Sequence, residues 1–188
     1  RDGTRVVLRQ NREGGFATGV DLMLLVLEGR KLEPLINSPA AEFNGEISPD
    51  GRWLAYQTNR SGRFDIVVRP FPDVAGGEWP ISTPGGTEPL WSRNTSELFY
   101  RAPNGDVMGV EVESGTSWKA GTPRQIIAGG EYVVGRDGNP YRTYDISLDG
   151  RRFLMLKNTS GSDDSGSMPH MIVVKNWFEE LTRRAPTR

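Results

Sequence analysis

The chain contains no cysteine, and its only histidine is His170. Without cysteine there are no disulfide bonds, no thiolate metal sites and no cysteine nucleophiles. His170 would have to be the general base of any hydrolytic triad, yet no Gly-x-Ser-x-Gly turn positions a serine nucleophile. The sequence therefore predicts that this chain is not itself an enzyme, and no residue in it is assigned a catalytic role.

Long apolar runs and an excess of one charge are missing as well. The longest apolar run, residues 22–27, is far shorter than the ~20 residues that cross a bilayer. Lys and Arg together number 23 and Asp and Glu 24, so no strong positive field draws the chain to nucleic acid. We predict no membrane insertion by this segment, no nucleic-acid partner and no cofactor.

Turn-forming residues and one repeated segment dominate what is present. The 23 glycines and 13 prolines divide the chain into many short segments, which suits an all-β protein. A turn followed by an apolar strand occurs at 46–56, 90–100 and 145–155, with a truncated copy at 2–8. Ser48 and Ser92 are 44 positions apart, and a propeller blade repeats every ~40–50 residues.

Each repeat predicts one antiparallel blade. In its Ser-x-Asp-Gly turn, the Ser and Asp side chains can bond local backbone N–H groups, and Gly can take a positive φ. An apolar second strand follows at once, as in 53–56 and 153–156. Third strands are predicted at 22–27, 65–69, 106–112 and 171–175, and fourth strands at 31–35, 78–81 and 123–127.

The predicted fold class is all-β, with about four blades of four antiparallel strands. We place the blades at 1–41, 42–86, 87–130 and 141–175, in a single propeller-type domain spanning 1–188. We interpret this domain as a partial or small propeller and a fragment of a longer chain, its first blade without an inner strand and its last without the outermost. A loop at 158–168 and a short C-terminal helix at 176–184, with Asn176 as N-cap, complete the prediction.

The motifs resemble a known bacterial repeat. The Ser-Pro-Asp-Gly turn at 48–51, the segment 58–62 and the strand at 65–68 together resemble the TolB-like, WD-type propeller repeat. Segments 69–72, 89–92, 97–101 and 174–181 are similar to the C-terminal propellers of bacterial serine/threonine protein kinases, although the chain has no kinase signature. The turns at 93–95 and at Leu148 depart from the Pro-Asp-Gly pattern. The resemblance implies a binding module of a signalling protein, in an extracytoplasmic or periplasmic location.

Candidate binding residues come from the inner strands and the loops. Asn44, Glu88 and Thr143 each lie four residues before the turn serine, so they are predicted to form one polar ring at the channel mouth. The loops at 59–63 and 133–142 would add Arg60, Arg63 and Arg142. We predict that this site binds a protein, a peptide or a small polar ligand.

Other interpretations of single motifs are structural. The segments 46–51 and 145–150 echo the spacing of a calcium loop, but both lack the distal acid and coincide with the repeat turn, so no metal site is predicted. The recurring aromatic residues are interpreted as core between blades: Trp53, Tyr56, Trp91, Phe99, Tyr100, Tyr144 and Phe153.

Three functions remain open from the sequence. The first is a non-catalytic sensor or scaffold module that binds a ligand or protein. The second is the accessory propeller of a serine hydrolase whose catalytic domain lies outside this chain. The third is an assembly scaffold, for which free blade edges predict self-association or recruitment of another chain.

Overall fold

A computed structural model describes residues 3–13, 19–93, 96–113, 117–130, 132–133 and 141–156. All of them belong to one compact unit, Arg1–Asn158. The predicted loop at 158–168, the strand at 171–175, the helix at 176–184 and His170 lie outside the described residues. Within the described residues, no helix is long and apolar enough to span a membrane.

Antiparallel strands make up almost all regular structure in the described ranges. They are β1 (Arg5–Asn11), β2 (Val20–Val26), β3 (Lys31–Ile36), β4 (Glu42–Ile47), β5 (Trp53–Thr58), β6 (Asp65–Pro70), β7 (Trp79–Pro80), β8 (Thr87–Trp91), β9 (Glu97–Arg101), β10 (Val107–Glu111), β11 (Arg124–Ile127), β12 (Tyr144–Ile146) and β13 (Phe153–Met155). A single 3₁₀ turn, Glu28–Arg30, separates β2 from β3. The predicted third and fourth strands of the first three repeats are confirmed, with ends that differ by one or two residues.

The strands form four sheets that follow one another along the chain. Sheet 1 has the order β1-β2-β3, sheet 2 β4-β5-β6-β7, sheet 3 β8-β9-β10-β11, and sheet 4 contains β12 and β13. Each strand pairs with its neighbour in sequence, which is the order of a blade built from successive hairpins. The all-β class with blade-like antiparallel sheets is confirmed, whereas the single domain over 1–188 stays a prediction.

The repeat turn has the predicted hydrogen bonds. Ser48 Oγ donates to Asp50 Oδ1 and accepts from the backbone amide of Trp53, while Gly51 has a φ of 73°. The turn before β13 repeats these contacts: Ser147 Oγ bonds Asp149 and accepts from the amide of Arg152. The Ser and Asp side-chain oxygens therefore bond within the turn, as predicted for segments 46–51 and 145–150.

The sheets pack face to face because side chains alternate along each strand. Leu54 and Tyr56 of β5 point toward sheet 1, in a cluster with Leu22 and Leu24, whereas Trp53 and Ala55 point toward sheet 3. In β9, Leu98 and Tyr100 face sheet 2, and Phe99 meets Tyr144 and Phe153 of sheet 4. The aromatic residues interpreted as core between blades lie in these three clusters.

A tryptophan from a loop closes one of these interfaces. Trp118 packs at ring-centroid distances of 5.1 Å from Trp53, 6.0 Å from Trp79 and 6.2 Å from Trp91. It precedes the short bridge between Val112 and Ala120. Trp118 therefore covers the apolar seam where sheets 2 and 3 meet.

Candidate functional site at the inner strands

Two inner strands bend at equivalent places. Asn44 of β4 and Glu88 of β8 have φ values of 52° and 57°, and the register of each strand against its partner shifts at that point. Asn enters the left-handed region readily, but for Glu this conformation costs of the order of 1–3 kcal/mol. These are β-bulges, which redirect a strand and re-aim its groups toward a neighbour.

Glu88 joins sheets 3 and 4. Its Oε2 accepts from the backbone amide of Thr143 at 2.6 Å and from the Thr143 hydroxyl at 2.8 Å. Its carbonyl oxygen accepts from the Tyr144 hydroxyl at 2.9 Å. Because Glu88 is buried, these bonds replace the water that its carboxylate would otherwise hold.

Gln57 joins sheet 2 to the same residue. Its Oε1 accepts from Asn44 Nδ2 at 2.9 Å and from the backbone amide of Glu88 at 2.8 Å. Asn44, Gln57, Glu88, Thr143 and Tyr144 thus form one chain of hydrogen bonds, which we call the inner polar network. The structure brings together the predicted ring of Asn44, Glu88 and Thr143, with Thr143 directly before β12. The polar groups of these three residues, however, form hydrogen bonds with other members of the network.

Arg142 adds an ion pair across the sheets. Its Nη2 donates to Glu46 Oε1 at 2.6 Å, and the carbonyl oxygen of Glu46 accepts from Trp91 Nε1 at 3.0 Å. The side chain of Arg142 is 24% exposed, but its Nε is buried and has no hydrogen-bond acceptor in the described structure. Arg142 is therefore both anchored and incompletely satisfied.

Arg101 of β9 is fully buried. Its Nη2 donates to the carbonyl oxygen of Val133 at 2.9 Å, whereas Nε and Nη1 have no acceptor within the described ranges. A buried guanidinium that keeps free N–H groups is costly, because their lost hydration is not replaced. Burial raises the pKa of Tyr144, and the charges of Arg142 and Arg101 both oppose that rise, so both cations lie near this phenol.

The contacts of Arg60 and Arg63 are with residues outside the inner polar network. Arg60 bonds the Glu78 carboxylate and holds the pKa of that acid below its ordinary value, with Arg69 contributing. Arg63 Nε lies 3.4 Å from Asp65 Oδ1. Both arginines are more than half exposed on the turn between β5 and β6, so they remain accessible to a partner.

Gln57 and Arg101 are candidate site residues that the sequence did not predict. Both directly follow the tyrosine of the second strand, Tyr56 or Tyr100, so the repeat alignment places them at one position. They also lie opposite equivalent residues, Phe43 for Gln57 and Thr87 for Arg101. Extending the alignment past the apolar strand residues would have found them.

In the described residues, the groups left without a partner beside the inner polar network are N–H donors of Arg101 and Arg142. No group of three or more metal-ligating side chains occurs in the part of the chain that the structure describes. What remains at the inner strands are guanidinium N–H groups, which recognise carboxylate or phosphate oxygen atoms.

The architecture defines the class of protein: an all-β chain of propeller-type blades. Its structure is similar to that of a TolB-type protein from Agrobacterium tumefaciens, with a TM-score of 0.48 and 16% identity over 68% of this chain and 48% of the other. TolB from Acinetobacter baumannii has a TM-score of 0.49 and 14% identity over 85% of this chain and 48% of its own.

Both neighbours are of the TolB type, the type of repeat that the turns of this chain resemble. The chain spans about half the length of each of the two solved structures. No protein-family model and no curated protein matches the chain. The similarity to kinase-linked propellers stays a prediction.

Proposed function

We propose that this chain is a non-catalytic binding module that recognises a protein or peptide through an acidic group. The observation that carries the proposal is a pair of incompletely satisfied guanidinium groups beside the inner polar network, Arg101 fully buried and Arg142 partly exposed. Arg101 keeps two nitrogen atoms without an acceptor and Arg142 keeps one in the described structure. A ligand carboxylate that contacts the partly exposed Arg142 would supply an acceptor that the described structure lacks.

Arg142 is the member of this pair that a ligand reaches first. Its side chain is partly exposed, whereas Arg101 is enclosed. The network of Asn44, Glu88 and Thr143 would then act as the frame that holds the site. The exposed Arg60 and Arg63 would steer an acidic partner at longer range.

The biological setting of the module is also part of the proposal. The resemblance of segments 69–72, 89–92 and 97–101 to kinase-linked propellers supports a sensor or scaffold role in a bacterial signalling protein. A small polar ligand with a carboxylate would use the same arginines. Nothing in the described residues favours the alternative, in which the chain is the accessory propeller of a serine hydrolase.

The test is a selection from a peptide library that displays free C-terminal carboxylates, followed by fluorescence anisotropy with the selected peptides. Arg142→Gln is expected to weaken binding about tenfold or more, because a charge-assisted bond to a carboxylate is lost. Lys119→Gln, which removes an exposed cation paired with Glu113, is the matched control and should leave affinity unchanged. Peptides that bind both variants like the parent chain would refute the site.

A further inference from the structure

The ion pair between Arg142 and Glu46 joins two sheets that are not neighbours along the chain. Glu46 belongs to β4 of sheet 2, whereas Arg142 directly precedes Thr143 and β12 of sheet 4. The two residues are 96 positions apart in sequence. Sheet 3 has its own bonds to both sheets, because Glu88 of β8 contacts Gln57 and Thr143. The pair is therefore an additional link among the inner strands.

Other hydrogen bonds hold the main chain at both ends of the pair. The amide of Thr143, the residue after Arg142, donates to Glu88 Oε2 at 2.6 Å. Glu46 lies in the ladder between β4 and β5, and its carbonyl oxygen accepts from Trp91 Nε1 at 3.0 Å. Rotation of the Arg142 and Glu46 side chains would leave these bonds in place. The pair can therefore open by side-chain movement alone.

The guanidinium group of Arg142 is only partly used by this pair. Glu46 Oε1 accepts from Nη2, whereas Nε has no acceptor in the described residues. A carboxylate can bind a guanidinium group through two parallel N–H···O bonds, which adds both energy and geometric specificity. The side chains of Arg142 and Glu46 are 24% and 17% exposed, so a carboxylate from solution can approach them. Glu46 thus occupies part of the position that a ligand carboxylate needs.

The charges around the pair are balanced. Burial raises the pKa of the Tyr144 phenol, and nearby charges act on it as well. These charges belong to two guanidinium groups and two carboxylates: Arg142, Arg101, Glu88 and Glu46. A ligand carboxylate added to them would leave a net negative charge unless one of the two acids moved away. Glu88 is buried and bonded to sheet 4, so the partly exposed Glu46 is the acid that can move.

We propose that Glu46 is a built-in competitor of the ligand, bound to Arg142 in the free chain and displaced by the ligand's carboxylate. This inference rests on the proposed function, because it concerns the same arginine. Displacement lowers the affinity of every ligand, but a carboxylate regains the lost ion pair and a neutral group does not. Glu46 therefore acts as a specificity-determining residue that restricts Arg142 to acidic ligands.

The probe is N-acetylglycine, whose carboxylate has the chemistry of a peptide C-terminus, with N-acetylglycinamide as the uncharged control. Binding is followed by NMR at the Nε–H signal of Arg142, which Arg142→Gln identifies by removing it. Glu46→Gln keeps the shape of the side chain but removes its charge, so the Kd for N-acetylglycine should fall about fivefold. Glu113→Gln, the matched control, removes an exposed carboxylate paired with Lys119 and should leave the Kd unchanged.

The direction of the change separates competition from a structural role. If Glu46 served only to position Arg142, Glu46→Gln would weaken binding of N-acetylglycine or leave it unchanged, and either result would overturn this inference. N-acetylglycinamide should produce no shift at Arg142 in the parent chain. An amide that binds the parent chain as tightly as the acid would overturn the inference as well, because Glu46 would then exclude nothing.

The Glu46 carboxyl group gives a readout that does not depend on a variant. Saturating N-acetylglycine should shift the side-chain carboxyl carbon signal of Glu46 in the parent chain, because this group leaves Arg142, while the signal of Glu113 stays in place. Binding at Arg142 with no change at Glu46 would overturn this inference and leave the proposed function standing. No response of Arg142 to N-acetylglycine in the parent chain or in Glu46→Gln would overturn both.

Discussion

Glu42, at the start of β4, combines burial with incomplete hydrogen bonding. Its side chain is almost fully buried, and its Oε1 accepts from Ser38 Oγ. Its Oε2 has no partner in the part of the chain that is described. Burial raises the pKa of the Glu42 carboxyl to about 7, which outweighs the opposing effects of Ser38 and the nearby Arg12.

This carboxyl should make folding stability depend on pH. Its folded pKa lies above the unfolded value, so the folded state holds the proton more tightly. Stability then falls as pH rises from about 4.5 to about 7. Glu42→Gln should remove this dependence and raise the free energy of unfolding above pH 7 by up to about 3 kcal/mol. Urea unfolding at pH 5 and pH 8 tests this, and an identical pH slope in both proteins would contradict it.

Arg101 permits a test of how well its buried guanidinium is paired. Replacing an ion-paired buried arginine costs about 3–5 kcal/mol, but Arg101 makes one backbone bond and leaves two nitrogen atoms unsatisfied. Arg101→Met should therefore keep the free energy of unfolding within about 1 kcal/mol of the parent or raise it. Chemical denaturation measures the change. A loss of about 3 kcal/mol or more would mean that the guanidinium is well paired.

Prediction from sequence at this scale was uneven. The fixed spacing from the turn serine identified Asn44, Glu88 and Thr143, because equivalent positions in stacked repeats lie side by side. It did not show that these groups would satisfy one another. That outcome depends on bulges at Asn44 and Glu88. Asn is a weaker signal of a positive φ than Gly, and Glu is no signal of one.

Among the structural elements, the repeat turn is the one whose hydrogen bonds were predicted best from the sequence. Ser48 and Ser147 make the same contacts, but Ser48 is buried and Ser147 is more exposed. Losing a hydroxyl that serves a buried amide costs more than losing one that water can replace.

A pair of substitutions tests this difference. Ser48→Ala should lower the free energy of unfolding by about 1–3 kcal/mol, because the buried amide of Trp53 loses its acceptor. Ser147→Ala is the matched control and should cost less than about 1 kcal/mol. Parallel urea titrations measure both. Equal losses would show that burial of the turn does not set its contribution.

Strands were predictable because their signals are local. Alternating or continuous apolar residues bounded by Gly and Pro located β2, β6 and β10 within two residues. Strand β7 proved only two residues long, Trp79–Pro80, since Pro80 has no N–H to continue the ladder. The contribution of Trp118 was not predictable, because it lies outside the repeat pattern and packs through a loop.

At the scale of the whole molecule, the fold of the described residues depends on how successive sheets are joined. Apolar clusters hold the faces together, and the inner polar network ties sheets 2, 3 and 4 near their inner strands. The repeat predicted that sheets would stack, but not which side chains would cross between them. Such contacts link residues up to 56 positions apart within the network, and the Arg142–Glu46 ion pair links residues 96 apart, beyond the reach of any local pattern.

The most direct test of this arrangement is hydrogen exchange at the backbone amide of Thr143, followed by NMR. We predict strong protection in the parent chain, because Glu88 Oε2 accepts this N–H at 2.6 Å in a buried setting. Glu88→Ala should speed exchange at Thr143 about tenfold or more, while the Trp53 amide, bonded to Ser48 Oγ, should keep its rate. A Thr143 amide that exchanges freely in the parent chain would contradict the junction between sheets 3 and 4.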